Sequence, residues 1–123
     1  MSVAYVVTIN ITADGQSLPG FPVTKTKTVT EDRGKSSFSR PDAAGTYTDL
    51  PVEELAGVGI LYVTADQAYT LRFQDQTDEG LPMAASGVCL LIDSGITSGA
   101  TKKVSLDNSS GSATTVTMIA GGS

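Results

Sequence analysis

The sequence predicts an all-β domain of the β-sandwich or jelly-roll type, with about seven or eight short strands. Three observations point there. Apolar and polar residues alternate over short runs, as in strands with one buried face. Turn-forming Gly, Pro, Asp and Asn separate these runs at regular spacing. Thr, Ser, Val and Gly are abundant, whereas Glu, Leu and Lys are too scarce for a helical protein. With 123 residues, 40% of them hydrophobic and 17% charged, the chain reads as one globular domain over 1–123.

In chain order, Val3, Tyr5, Val7, Ile9 and Ile11 alternate with Ala4, Val6, Thr8, Asn10 and Thr12, which predicts a first strand. Asp14-Gly15 ends it, and Leu18-Pro-Gly-Phe-Pro22 reads as an irregular connection. Val23 to Thr30 places a threonine ladder, Thr24, Thr26, Thr28 and Thr30, against Lys25 and Lys27, as in either an edge strand guarded by lysines or a strand on a subunit surface. An ice-binding reading of that ladder would need stacked repeats, and the chain has no second copy.

From Glu31 to Gly45 the alternation gives way to a polar, small-residue stretch around Phe38. An extended loop or arm is expected over 31–45, ordered by a partner, with Phe38 as its anchor. Thr46 to Leu50 predicts a short strand, and Pro51 to Gly57 a single helical turn. Ile60 to Ala65 and Ala68 to Gln74 read as two strands joined by a tight turn, with Tyr69, Leu71 and Phe73 inward. Gly87-Val-Cys-Leu-Leu-Ile-Asp93 is apolar at successive positions, the pattern of a strand buried from both sides, and places Leu90 in the core. Thr101 to Leu106 and Thr114 to Ile119 read as a final pair of strands. Asp107-Asn-Ser-Ser-Gly111 joins them as a hairpin connection, with Gly111 supplying a positive φ.

The residue inventory excludes much chemistry. There is no histidine, so Ser-His-Asp and Cys-His catalytic sets and His metal sites are absent. The single cysteine, Cys89, can make neither an intramolecular disulfide nor a thiolate zinc cage, and its apolar run predicts a buried, inert thiol. No glycine-rich phosphate cradle is present. Asp75-Gln-Thr-Asp-Glu-Gly80 begins like a calcium loop but has Ser86 where a bidentate glutamate is required, so it is read as an acidic turn. Glu53 and Glu54 adjoin one another, and nothing in the sequence sets a carboxylate pair across a cleft. No Trp is available to stack on a sugar ring. The expectation is therefore a protein that is not an enzyme, with no metal and no cofactor.

The net charge of −5 argues against nucleic acid as a partner. No run approaches a membrane span or a secretion signal, so no membrane partner is expected and synthesis is expected in a cytoplasm. Asn10-Ile-Thr12 and Asn108-Ser-Ser110 match the glycosylation pattern by chance on this reading. Charge is nevertheless unevenly spread. Five of the eight basic residues, Lys25, Lys27, Arg33, Lys35 and Arg40, fall in one segment, whereas 49–79 carries seven acids and only Arg72. Lys25, Lys27, Arg33, Lys35, Phe38 and Arg40 are the candidate interface, through which basic and acidic segments of neighbouring copies would meet.

The stretch Gly87-Val-Cys-Leu-Leu-Ile, with Val104-Ser-Leu-Asp-Asn-Ser-Ser-Gly-Ser-Ala-Thr-Thr-Val-Thr-Met-Ile-Ala-Gly121, resembles the C-terminal strands of small β-rich virion proteins of tailed bacteriophages. These proteins decorate or stabilise heads or other virion parts. The resemblance covers about a third of the chain and has no catalytic residues to transfer. It implies a homo-oligomeric structural protein, made in a host bacterial cytoplasm, that binds a major capsid or other virion protein. A small-ligand or glycan-binding β-sandwich module is the alternative expectation.

Overall fold

The structure, a computed structural model, describes residues 2–40, 47–50, 57–73, 80–93, 104–108 and 110–122, with the backbone alone at 47–49. It is all-β and sandwich-like. Twelve strands are described: β1 (Val3–Ile9), β2 (Thr12–Ala13), β3 (Gln16–Ser17), β4 (Val23–Val29), β5 (Glu31–Arg40), β6 (Tyr47–Asp49), β7 (Val58–Ala65), β8 (Tyr69–Arg72), β9 (Leu81–Met83), β10 (Val88–Ile92), β11 (Ser105–Asp107) and β12 (Thr114–Gly122).

Eight of them form two four-stranded antiparallel sheets, one ordered β10-β7-β12-β5 and the other β6-β11-β8-β9. The core lies between the sheets. The first contributes Leu61, Val63, Ala65, Val116, Met118, Ala120 and Cys89, and the second Tyr69, Leu71, Leu106 and the flanking Leu50 and Val104. Alternation accounts for most of this, since residues two apart on a strand share a face. One departure is instructive. Val58 and Leu61 are both in the core although three residues apart, because the β7–β12 register shifts at Gly59. A bulge adds one residue and reverses the side-chain phase on either side of it.

Several expectations change. The polar stretch Glu31–Arg40 is a strand, β5, paired along β12, rather than an irregular excursion; residues 41–45 lie outside the described ones. Its serines hide the pattern, because Ser36, Phe38 and Arg40 alternate with the more exposed Lys35, Ser37 and Ser39 without any hydrophobic contrast. Phe38 packs against the core with Arg40 stacked over its ring, 4.5 Å from the centroid, so it does not stand free as an arm's anchor. Among the described residues the apolar strand β10 is a sheet edge, and only its Cys89 side is buried. Leu90 is half-buried on the outer face, and Val88 is 52% exposed.

The tight turn expected at Asp66-Gln67 and the hairpin expected at 107–111 both carry the chain from one sheet to the other. Asp66-Gln67 leads from β7 to β8, and the segment after Asp107 leads from β11 to β12, and in each case the flanking strands belong to opposite sheets. Side-chain hydrogen bonds brace both crossings. At the first, Asp66 Oδ1 accepts from Thr114 Oγ1 (2.6 Å) and from the Thr115 amide (2.9 Å). At the second, buried Asn108 donates from Nδ2 to the carbonyls of Ser112 (2.8 Å) and Arg40 (3.2 Å), while its Oδ1 accepts from Ser110. Gly111 does take a positive φ of 88°. The helical turn expected at 51–57 lies outside the described residues except for Gly57, as does the acidic turn at 75–80 except for Gly80.

Candidate assembly surface: the N-terminal ribbon

The first strand and the threonine run belong to neither sheet. β1 and β4 pair with each other, Val3 opposite Val29 through Ile9 opposite Val23, as a separate two-stranded ribbon. Its tip is the β2–β3 hairpin, turned by Asp14 (φ 51°) and Gly15 (φ 80°). Two consecutive positive φ angles make the turn whose twist matches the flanking strands, and Asp-Gly is a preferred sequence for it.

The register gives the ribbon two different faces. On one, Ala4, Val6 and Thr8 lie beside Thr28, Thr26 and Thr24, all of them exposed and uncharged. The Thr8 and Thr24 hydroxyls are 3.3 Å apart across the strands. On the other, Val3, Tyr5 and Val7 lie beside Val29, Lys27 and Lys25, and this face is partly covered near the sandwich. Burial fades outward from there: Val29 is 2% exposed, but Ile9, Ile11 and Leu18 all remain substantially open; on the opposite face Val6 is 65% exposed.

The junction with the sandwich is built on glycine. Gly121 sits against Val29 so closely that a Cβ there would come within 2.8 Å of the Val29 side chain. At Gly59 a Cβ would lie 2.8 Å from Cε of Lys27, so the lysine stem runs across β7 where a side chain is missing. The Thr30 amide donates to the Gly122 carbonyl (3.0 Å) between β4 and β5. Here the β12–β5 register also shifts: Gly34 faces Ala120 and Asp32 faces Gly121, leaving Arg33 as the extra residue. Bulges on both neighbours of β12 thus coincide where the ribbon departs, in keeping with their use to bend strands and end pairing.

Beside the Thr30 hydroxyl, which donates to the Gly122 carbonyl at 3.3 Å, side chains of β1 and β4 make two polar contacts to the rest of the described residues. Tyr5 Oη donates to Asp32 Oδ1, which also accepts from the Gly34 amide at 2.9 Å. Burial, then the hydrogen bond and charge of Asp32, push the Tyr5 phenol up to about 12, while the Tyr5 and Gly34 hydrogen bonds hold the Asp32 carboxyl below its usual range. Lys27 Nζ lies 2.6 Å from Asp93 Oδ1, and this hydrogen bond and charge lower the Asp93 carboxyl.

The six sequence-derived interface residues are therefore dispersed. Lys25 and Lys27 are on the ribbon, Lys27 being engaged by Asp93. Arg33 is at the β5 bulge, and Lys35 is exposed on the outer sheet face opposite Ile119. Phe38 and Arg40 belong to the inner side of β5. Of the acidic segment expected to face them, Glu53, Glu54, Asp75, Asp78 and Glu79 lie outside the described residues.

Sequence reasoning misses the outer face of the β10-β7-β12-β5 sheet. Across it, Leu90, Tyr62 and Ile119 form one row and Val88, Thr64 and Thr117 the next. The signal is present in β10: a strand apolar on both sides at a sheet edge presents one apolar side outward. Among the described residues no three His, Cys, Asp or Glu side chains gather as a metal site. No helix there is long and apolar enough to cross a membrane. No family model matches the chain, and neither the curated proteins nor the solved structures contain a match.

Proposed function

We propose that this protein is a structural component that works by assembly, pairing with copies of itself and attaching to a larger protein lattice, and that the lattice is a phage virion. The observation that carries the assembly reading is the ribbon. A two-stranded antiparallel pair is at best marginally stable in water, yet this one has seven paired positions outside both sheets, with Val6, Ile9, Ile11 and Leu18 open to solvent. Such a surface gains from a further strand or a partner face. The outer sheet face, with Val88, Leu90, Tyr62 and Ile119, supplies a second apolar area for lattice contacts.

The virion part rests on the resemblance of the C-terminal strands to small β-rich phage proteins, with the lattice partner then a major capsid or other virion protein and the site of synthesis a host bacterial cytoplasm. On this reading the chain performs no catalysis and uses no cofactor. The glycan-binding alternative would draw on Tyr62, half-exposed between Leu90 and Ile119, as its stacking ring.

Light scattering across a concentration series tests the assembly reading: the expected mass is a multiple of the 12.6 kDa chain. A monomer at every concentration would overturn it. Co-sedimentation with shells of a phage major capsid protein tests the lattice, with loss of binding expected when Leu90 and Tyr62 are replaced by charged residues.

A further inference from the structure

We infer that the open edge of β1 is the contact between copies: two chains pair β1 to β1 antiparallel, giving a four-stranded sheet in the order β4-β1-β1-β4 about a two-fold axis at Val6. This rests on the assembly reading above and specifies its site and partner. Among the described residues β1 has a single strand neighbour, β4, so its other edge carries unpaired backbone donors and acceptors. Edges of this type are ordinarily protected by lysine, proline, a bulge or brevity. Over Val3–Ile9, Val-Ala-Tyr-Val-Val-Thr-Ile, β1 has none of these: seven residues without charge, proline or glycine, in continuous register with β4. The two strands of the ribbon differ in this respect, because β4 carries Lys25 and Lys27.

The sequence of β1 is complementary to itself in the antiparallel sense. Centred on Val6, the pairing places Val6 opposite Val6, Tyr5 opposite Val7, Ala4 opposite Thr8 and Val3 opposite Ile9. Each pair shares a face, and no like charges meet. On one face the pairs are aromatic or β-branched throughout, the combination that stabilises cross-strand contacts. The lysines fall on the two outer strands, three interstrand spacings or about 14 Å apart. That exceeds the screening length of about 10 Å at 0.1 M salt. Because each ribbon is anchored at its Val3–Val29 end, antiparallel pairing also sends the two sandwiches to opposite ends of the new sheet. Each tip, with exposed Ile11 and Leu18, is then carried toward the partner's ribbon base. These exposed apolar residues thereby gain a surface to cover.

The experiment compares Val6→Lys with Thr26→Lys by light scattering, with circular dichroism confirming the fold. Val6 and Thr26 are cross-strand partners on the same exposed face, so the two variants differ chiefly in distance from the β1 edge. Val6→Lys sets two ammonium groups directly across the axis and is expected to reduce the mass to that of the monomer, while Thr26→Lys keeps the oligomer. In parallel, Val6→Cys is expected to form a disulfide-linked dimer on mild oxidation, since directly opposed strand positions meet the Cα separation a disulfide needs. Cys89, the only native thiol, is buried and stays out of the reaction. An oligomer that survives Val6→Lys, together with a Val6→Cys variant that stays unlinked, would overturn the β1 edge while leaving assembly intact. Equal disruption by both lysine variants would place the contact on the ribbon's face and also overturn the edge. A wild-type monomer at all concentrations would remove the assembly reading itself.

Discussion

β1 and β12 make a natural comparison. Both are long strands with an apolar residue at every second position over most of their length, and both have an antiparallel neighbour in continuous register for most of that length. Yet Val116, Met118 and Ala120 are fully buried, while on β1 the inward-facing Val3, Tyr5 and Val7 reach only partial burial and Ile9 is exposed. The difference is in what lies on either side. β12 has β7 and β5 as flanking strands and a second sheet against its inner face, whereas β1 has β4 alone among the described residues. Alternation therefore chooses which face turns inward, and the number of neighbours sets how far it is buried.

The largest effect expected from this comparison is in the core. Leu61→Ala on β7 should cost about 2–5 kcal/mol, because a fully enclosed side chain leaves a cavity that close-packed neighbours fill only in part. Leu90→Ala, on the outer face of the edge strand, should cost about 1 kcal/mol, since less area is removed from water. Urea midpoints decide between them, and a larger loss for Leu90 would mean that its face is covered in solution.

Next comes the junction. Gly121→Ala forces the Val29 side chain to move, at a cost of about 1–3 kcal/mol. If the ribbon is a unit attached at this point, trypsin should cut faster at Lys25 while the sandwich keeps its circular dichroism. An unaltered cleavage rate would show that Val29 is not what holds the ribbon.

Tyr69→Phe should cost about 1 kcal/mol. The Tyr69 hydroxyl donates to the Gly87 carbonyl at 2.6 Å, and after its removal that carbonyl keeps the Thr64 hydroxyl at 3.0 Å. Thermal unfolding of Tyr69→Phe alongside Thr64→Val would show whether the two donors substitute for one another.

The smallest effects are those of pH on the ribbon contacts. Asp32 and Asp93 have lowered folded-state values, so their contribution is present above the ordinary carboxylate value of 3.8 and is lost as pH falls below it. Tyr5 is raised from 10 to about 12, so its contribution is complete below pH 10 and disappears as pH rises toward 12. Both contacts are near solvent and modest. Proteolysis of the ribbon should thus quicken at acid and alkaline extremes before the sandwich unfolds. Tyr5→Phe should remove one late step from the phenolate absorbance titration, leaving that of Tyr69, which burial also raises to about 12.

Legibility from sequence follows the same division. Tyr69 and Leu71 are inward as alternation predicts, because the contrast on β8 is strong, and Cys89 is buried as expected because its own side of β10 faces the core. Ser36 and Ser37 give no contrast, so β5 reads as an arm from sequence alone. Leu90 reads as core because apolar residues on both sides of a strand describe a central position and an edge with a sticky outer face equally well. Of the candidate site, the lysines on β4 and the open character of the threonine face are visible in the sequence, whereas the Lys27–Asp93 and Tyr5–Asp32 contacts are not.

What the sequence by itself determined is the local geometry: extended strands, a side-chain phase along each, the Asp14-Gly15 and Gly111 turns, and an inventory without histidine chemistry. Only the tertiary structure decided that turns after β7 and β11 change sheets, that β10 is an edge among the described strands, and that β1 and β4 leave the sandwich as a ribbon. The physical reason is that a strand's own residues fix its pleat and its preferred face over a few ångströms. Its hydrogen-bonding neighbours come from chain segments tens of residues away, and many pairings satisfy the same alternation. Packing of the whole set selects among them, here at contacts as specific as Val29 against Gly121.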